Sequence, residues 1–341
     1  MTNKPKLVIL TGPTAVGKTA LSIKLAKAID GEIISADSMQ VYRRMNIGTA
    51  KITPEEMQGV KHFLVDEYEP QEEFNIVAFQ QRAKEAVAEI SARGHIPMIV
   101  GGTGFYIQSV VYDIDFDAAG PQNEASDINP QPSVKLSASV SPPATNGAYR
   151  AKLQQMAANG EEEQLHRMLA GVDPASAEAI HKNNVKRVIR ALEFFEQTGE
   201  PISKHNQEQQ QKISPYDFLY FVLNDDRQIL YDRIDKRVDL MVEQGLTEEV
   251  RALKAEGCNR SMVSMQGIGY KEILDYLEGD LTLEEAIDRI KRDTRHFAKR
   301  QITWFKREKQ VTWIDKDAYG YEEEAILEAM LEHLKMEKII E

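Results

Sequence analysis

With 341 residues the chain is long enough for about two domains, and its 42% hydrophobic content allows a sizeable buried core. Lys and Arg number 42 against 54 Asp and Glu, a net charge of −12 that excludes a wholly basic nucleic-acid coat while leaving room for a local basic face. The lone cysteine, Cys258, excludes an internal disulfide framework or a cysteine-rich zinc module, and apolar runs such as Leu7-Val8-Ile9-Leu10 fall far short of the roughly 20 residues of a membrane span.

A first strand is expected at residues 6–10, with no room before it for a signal peptide, so a cytoplasmic protein is expected. A Gly-rich turn leads into a helical pattern with Leu21, Leu25, Ala28 and Ile29 on one face. Gly31 ends that helix, and residues 32–35 read as a second strand. This βαβ opening favours a parallel sheet covered by helices. Residues 74–93 have helical periodicity up to Gly94, and 96–100 form a third strand running into Gly101-Gly102. Residues 118–148 contain Pro121, Pro130, Pro132, Pro142 and Pro143, five serines and no aromatic residue. Such a segment cannot bury enough apolar surface to offset its ordering entropy, and a poorly ordered loop is expected. From there to Tyr216 helical patterns dominate. Residues 218–223 and 311–314 supply later strands, and the tail from Tyr321 reads as an acidic amphipathic helix. The expected organisation is an α/β core, residues 1–117 and 206–341, with basic C-terminal helices. An insertion at 118–205, poorly ordered at 118–148 and then helical, interrupts it. No apolar seam stands out, and a monomer is expected.

Gly12-Pro13-Thr14-Ala15-Val16-Gly17-Lys18-Thr19 is a complete G-x-x-x-x-G-K-[ST] motif between a strand and a helix. Glycines let backbone N–H groups wrap phosphate oxygens, the helix N-terminus adds a favourable dipole, Lys18 supplies a positive charge and the Thr19 hydroxyl can ligate Mg²⁺. The alternative is a chance glycine turn, which would not require this strand-helix context. The motif identifies a polyphosphate without saying which. Asp37 follows the second strand, where the carboxyl ends of strands in a doubly wound sheet line the ligand crevice. Its carboxylate suits a metal ligand, a general base or a ribose contact; capping the next helix is the structural alternative. Thr103 follows the third strand and would point into the same crevice. Met98-Ile99-Val100 runs into Gly101 with no Walker-B acid, which argues against an ordinary ATPase.

Two segments are basic. Residues 182–190 hold Lys182, Lys186, Arg187 and Arg190 with no acid, and 288–309 hold nine cations against three acids, with Trp304 and Phe305 interleaved. Cations interleaved with aromatics suit RNA, whose phosphates take the charge and whose unstacked bases take the rings. A solvated helix face with Trp304 in the core is the alternative. His166, His181 and His296 are isolated and lack metal-ligand spacing.

Seven motifs occur in order: the loop 12–19; Ser35-Ala36-Asp37-Ser38; Met45-Asn46-Ile47-Gly48-Thr49-Ala50-Lys51; Val100-Gly101-Gly102-Thr103; Val185-Lys186-Arg187-Val188-Ile189-Arg190-Ala191-Leu192-Glu193; Gly267-Ile268-Gly269-Tyr270-Lys271; and Ala298-Lys299-Arg300-Gln301-Ile302-Thr303-Trp304-Phe305. Together they resemble the bacterial tRNA isopentenyltransferase (dimethylallyltransferase) family over nearly the whole chain except 118–148 and the extreme tail. The resemblance implies a P-loop NTPase-like parallel sheet flanked by helices, with a helical insertion domain that grips tRNA. The implied reaction moves a dimethylallyl group from dimethylallyl diphosphate to N6 of the adenosine just 3′ of the anticodon, with Mg²⁺ as cofactor and the tRNA anticodon stem-loop as partner.

Carried over by motif, Asp37 corresponds to the general base and Thr103 to the residue that positions the amine. Residues Gly12, Pro13, Thr14, Ala15, Val16, Gly17, Lys18 and Thr19 hold the diphosphate, with Arg227 a further contact and Thr19 the metal ligand. Asp37, Ser38, Met39, Gln40, Thr103, Arg150, Lys186, Arg187, Arg190, Gln266, Gly267, Ile268, Gly269, Tyr270, Lys271, Lys299, Arg300, Gln301 and Trp304 fall where the family meets tRNA. The sequence departs from the family at Ile180-His181-Lys182-Asn183, where a proline commonly replaces the lysine. Competing readings of the residues are a small-molecule P-loop kinase using ATP, and a prenyltransferase acting on a free adenine nucleotide. A regulatory GTPase lacks its Asn-Lys-x-Asp motif. The long helical insertion and basic C-terminal segment argue for a large RNA substrate.

Overall fold

The computed structural model describes residues 4–116 and 145–341. Six parallel strands, β1 (Lys6–Thr11), β2 (Gly31–Ala36), β3 (His62–Phe63), β4 (Ile96–Gly101), β5 (Asp217–Asn224) and β6 (Thr312–Asp315), form one sheet in the order β3-β2-β4-β1-β5-β6. In the first third of the chain the helices are α1 (Lys18–Ala28), α2 (Pro54–Met57), α3 (Ile76–Ala92) and α4 (Gly104–Val111). Five follow in the middle: α5 (Thr145–Ala158), α6 (Glu162–Val172), α7 (Pro174–Ala179), α8 (Val185–Thr198) and α9 (Ile202–Gln210). The last are α10 (Arg227–Glu243), α11 (Leu246–Ala255), α12 (Tyr270–Glu278), α13 (Leu283–Phe305) and α14 (Glu323–Met336). Among these described residues no helix is long and apolar enough to cross a membrane.

The expected strands are present. Leu7, Val8, Ile9 and Leu10 are fully buried, as an unbroken apolar run must be when helices cover both faces of a parallel sheet. Leu21 and Leu25 of α1 join Ile326, Met330 and Leu334 of α14 in the cluster over one face. The C-terminal tail is therefore a packed layer of the core. The two-residue strand β3 was not legible, because two residues carry no periodicity. Local caps set the helix starts. Asn75 accepts from the Val77 and Ala78 N–H groups at 3.1 Å, and Thr282 and Glu285 form a reciprocal capping box before α13.

The chain divides into two compact units, which in the described residues are 4–111 with 214–341 and 112–116 with 145–213. The second is wider than the expected insertion at 118–205, for a physical reason. Its ends are hydrogen-bonded to each other, Gln209 to the Asp115 N–H at 3.0 Å and Lys212 to the Asp113 carbonyl at 2.7 Å. Of the loop expected at 118–148, residues 145–148 belong to α5. The rest lies outside the described residues.

The second unit is all-helical around Leu153, Leu165, Leu169, Val188 and Leu192. Asp173, 1% exposed, ties it together. Its carboxylate accepts from Ser176 N (3.0 Å) and Oγ (2.7 Å) and from Ser203 N (2.9 Å) and Oγ (2.6 Å). Burial pushes its pKa up, but these four donors outweigh it and hold the carboxyl below its ordinary value. A lowered acid pKa means stabilisation that is present above the ordinary carboxylate range and lost as pH falls through it. Asp173→Ala is expected to lose about 2–3 kcal/mol at pH 7 and to flatten the acid limb of stability, as measured by urea unfolding from pH 7 to pH 3.

Candidate active site

The carboxyl ends of five strands share one edge. Thr11 registers with Gly101 and Val222, Ala36 with Gly101, and Asn224 with Asp315. Ligands of parallel α/β sheets bind outside this edge. Here the loop 12–17 leaves β1, Asp37 follows β2, Thr103 follows β4, Arg227 opens the helix after β5 and Lys316 follows β6.

Crowding dictates the loop. A Cβ on Gly12 would stand 2.4 Å from the Leu223 carbonyl oxygen, and its φ of +149° disfavours any side chain. Ala15 and Gly17 also take positive φ, +63° and +96°, as the chain wraps into α1. Lys18 Nζ folds back to donate to the carbonyls of Gly12 (2.9 Å) and Pro13 (2.8 Å). Burial first, then the positive charge of Arg237, lower the Lys18 pKa to about 7, with Asp37 acting in the opposite direction. Burial likewise depresses Arg237, against the pull of Asp37 and Glu56. Two poorly solvated cations thus share a cleft, an arrangement that favours a multiply charged anion. Thr19 lies exposed in the first turn of α1.

Asp37 leaves β2 into a turn. Its Oδ1 accepts from the Met39 N–H at 2.9 Å and the Gln40 N–H at 3.3 Å, while Oδ2 accepts no hydrogen bond among the described residues. The aspartate therefore caps its own turn and still offers one oxygen to the crevice. Thr103, 5% exposed, donates its backbone N–H to the Ala36 carbonyl at 3.2 Å, which brings it beside Asp37 across the β2–β4 edge. Gly101 permits this approach, since a Cβ there would stand 2.4 Å from the Ala36 backbone.

Of the remaining candidates, Gln301 and Trp304 of α13 meet the same edge from above. The Gln301 amide accepts from the Thr14 N–H at 2.8 Å and donates to the Gly102 carbonyl at 2.9 Å. At 4% exposure, its visible work is to clamp the phosphate loop to the turn after β4. The Trp304 ring lies on Gly104, whose Cβ would be 2.2 Å from Cδ1, and edge-on to Phe105 with centroids 6.0 Å apart. Lys299 is exposed, and the Arg300 guanidinium lies 5.9 Å from the Phe297 ring centre. Other cations of this stretch are paired, Lys291 with Asp239 and Arg295 with Asp235, both at 2.5 Å. The face is thus less positive than composition indicated.

In the segment 266–271, Gln266 donates to the Arg260 carbonyl, Ile268 is half-buried and Gly267 packs on Met39. Tyr270 and Lys271 are buried, Lys271 Nζ standing 3.4 Å from Glu272 Oε1. Ser38 is half-buried in the Asp37 turn. Arg150, Lys186, Arg187 and Arg190 belong to the helical unit. There Lys186 and Arg187 lie on the exposed side of α8, and Arg150 Nε stands 3.4 Å from Glu193. Arg227 points along its own helix, donating to Tyr231 Oη at 2.9 Å. Arg237, ten residues on, is the cation whose charge reaches Lys18. Sequence reasoning missed it, although it falls three residues after Ile234 on the buried stripe of Leu230, Ile234 and Val238. Lys316, also missed, donates to the Val16 carbonyl at 3.3 Å, and its place after the last strand was the available signal.

The family model described as IPP transferase matches residues 40–308. A tRNA dimethylallyltransferase of Lachnoclostridium phytofermentans is 57% identical over 98% of this chain and 99% of its own. One from Carboxydothermus hydrogenoformans is 48% identical over 91% and 92%. This chain belongs to the IPP transferase family. Solved structures agree. A tRNA isopentenylpyrophosphate transferase from Bacillus halodurans superposes with a TM-score of 0.68 at 42% identity, covering 98% of both chains. A eukaryotic dimethylallyltransferase acting on tRNA gives 0.72 at 30% identity, over 91% of this chain and 73% of that one. Among IPP transferase features of this chain, the Gln301 clamp is directly testable. Gln301→Ala strands the Thr14 N–H and the Gly102 carbonyl, and is expected to cost about 1–3 kcal/mol. Thermal unfolding and calorimetric titration with inorganic pyrophosphate should show lower stability and weaker binding together.

Proposed function

We propose that this enzyme transfers a dimethylallyl group from dimethylallyl diphosphate to N6 of the adenosine immediately 3′ of the anticodon in tRNA, releasing diphosphate. The observation that carries the proposal is the Asp37 carboxylate, with Oδ2 open, in the same charge cluster as poorly solvated Lys18 and Arg237 at the phosphate loop. Adenine N6 is a weak nucleophile, because its lone pair is delocalised into the ring. Asp37 accepts its proton as the new C–N bond forms, and Thr103 positions the amine. Lys18, Arg237 and the loop amides stabilise charge on the departing diphosphate. The adenine leaves its stack to reach the cleft.

The residues fit a magnesium ion as cofactor. Thr19 offers an exposed hydroxyl, and the described residues include no cluster of three or more His, Cys, Asp or Glu that would hold a metal by itself. A Mg²⁺ ion, which keeps waters and takes phosphate oxygens, suits such a sparse donor set. Bound there, it would add positive charge beside the diphosphate.

The decisive assay mixes labelled dimethylallyl diphosphate with unmodified tRNA and maps the product by nuclease digestion. Label on the adenosine next to the anticodon is expected; productive phosphoryl transfer from ATP would instead favour a kinase. Asp37→Asn keeps shape but cannot take the proton, so its single-turnover rate is expected to fall by about 10²–10⁴ while both substrates still bind. Thr103→Ala should cost less. Rates within a few-fold of the parent for Asp37→Asn would remove the carboxylate from the reaction.

The RNA surface is tested with salt. Lys299 and Arg300 have no ion pair among the described residues. Replacing both with Ala should weaken tRNA binding and flatten the plot of log K against log salt by about one unit. Pyrophosphate affinity should stay unchanged.

A further inference from the structure

Glu249 of α11 lies outside every motif singled out in the sequence, yet its carboxylate gathers four donors. Oε2 accepts from the Asn46 and Ile47 N–H groups, both at 2.8 Å; Oε1 accepts from the Gly48 N–H at 3.1 Å and from Tyr270 Oη at 2.7 Å. Three successive backbone amides aimed at one carboxylate form an anion nest within the protein. The Tyr270 ring lies flat on Gly48, where a Cβ would stand 2.6 Å from Cε2. Glu249 therefore pins loop 46–48 to the segment 267–270.

Both of those segments hold the Asp37 turn. Gln40 Nε2 donates to the Thr49 and Ala50 carbonyls at 3.3 Å, and the Gln40 N–H donates to Asp37 Oδ1. On the other side Met39, whose N–H also donates to Asp37 Oδ1, packs its methyl where a Cβ of Gly267 would be, 2.7 Å away. The route from Glu249 to the carboxylate is thus one loop and two side chains long on either side.

We infer that Glu249 is a positioning residue that fixes the direction of the Asp37 carboxylate by locking loop 46–50 and Tyr270 around its turn. The inference rests on the proposed role of Asp37. It assigns Glu249 no contact with substrate. A shift of about 1 Å at a reacting group can cost as much as a hundredfold in rate.

The test is a double-mutant cycle in single-turnover prenyl transfer with saturating tRNA. Glu249→Gln replaces one acceptor oxygen by an amide that opposes two N–H donors. It is expected to lower the rate about ten- to a hundredfold, with the dissociation constants for tRNA and pyrophosphate changed less than about threefold. In the Asp37→Asn background the same substitution should have almost no further effect, because there is no base left to aim. Additive losses, or a loss of tRNA binding in place of rate, would overturn the inference and leave Glu249 a general stabiliser. If Glu249→Gln does not fold, Tyr270→Phe keeps the ring on Gly48, removes one donor and runs through the same cycle with the same reading. Failure of the proposed function would register separately, as an Asp37→Asn rate equal to the parent's.

Discussion

Close backbone approach at the carboxyl edge of the sheet is the constraint from which the site follows. Gly12 abuts the Leu223 carbonyl and Gly101 abuts the Ala36 backbone, each with room for no side chain. These contacts bring the exits of β5, β1, β4 and β2 together, so the phosphate loop, Thr103 and Asp37 converge without a long-range side-chain scaffold. The helices then need supply few polar parts. Gln301 from α13 closes the loop against the turn after β4, and Arg237 from α10 adds the charge that the loop lysine feels.

Desolvation gives the cleft its electrical character. Lys18 and Arg237 are both pushed toward their neutral forms by burial, with Asp37 and Glu56 as the acids that offset it. Such a cleft is short of negative charge until an anion enters. A diphosphate restores the balance and restores full charge on the lysine, so binding and cation protonation reinforce each other. Asp37 belongs to the same balance. When diphosphate satisfies the cations, the carboxylate is less committed to them and better placed to take a proton from an amine.

How much was legible depended on whether a residue's task was local or tertiary. The main strands could be read because burial on both faces of a parallel sheet demands unbroken apolar runs such as Leu7-Val8-Ile9-Leu10. The phosphate loop, Asp37 and Thr103 could be read because each follows a strand. Arg237, Lys316 and Glu249 could not, since each acts on groups more than 200 residues away in sequence or on another element's backbone. Gln301 shows the same limit from the other side. Its motif marked it as an RNA contact, and tertiary structure occupies both ends of its amide. The width of the helical unit was also tertiary information, fixed by the hydrogen bonds from Gln209 and Lys212 back to residues 113–115.

Charge placement reconciles an acidic protein with an RNA substrate. Composition gave residues 288–309 nine cations against three acids, but α10 contributes Asp235 and Asp239, which pair with Arg295 and Lys291. These pairs attach the middle of α13 to the core unit. Lys299 and the cations at 306, 307 and 309 remain without ion pairs among the described residues. The positive charge is thereby concentrated toward the carboxyl end of α13, next to Gln301 and Trp304, where the helix meets the catalytic edge. A surface basic throughout would bind any polyanion. One whose free cations cluster beside the cleft favours RNA backbone that brings a base within reach of Asp37, and the acidic remainder repels RNA placed elsewhere.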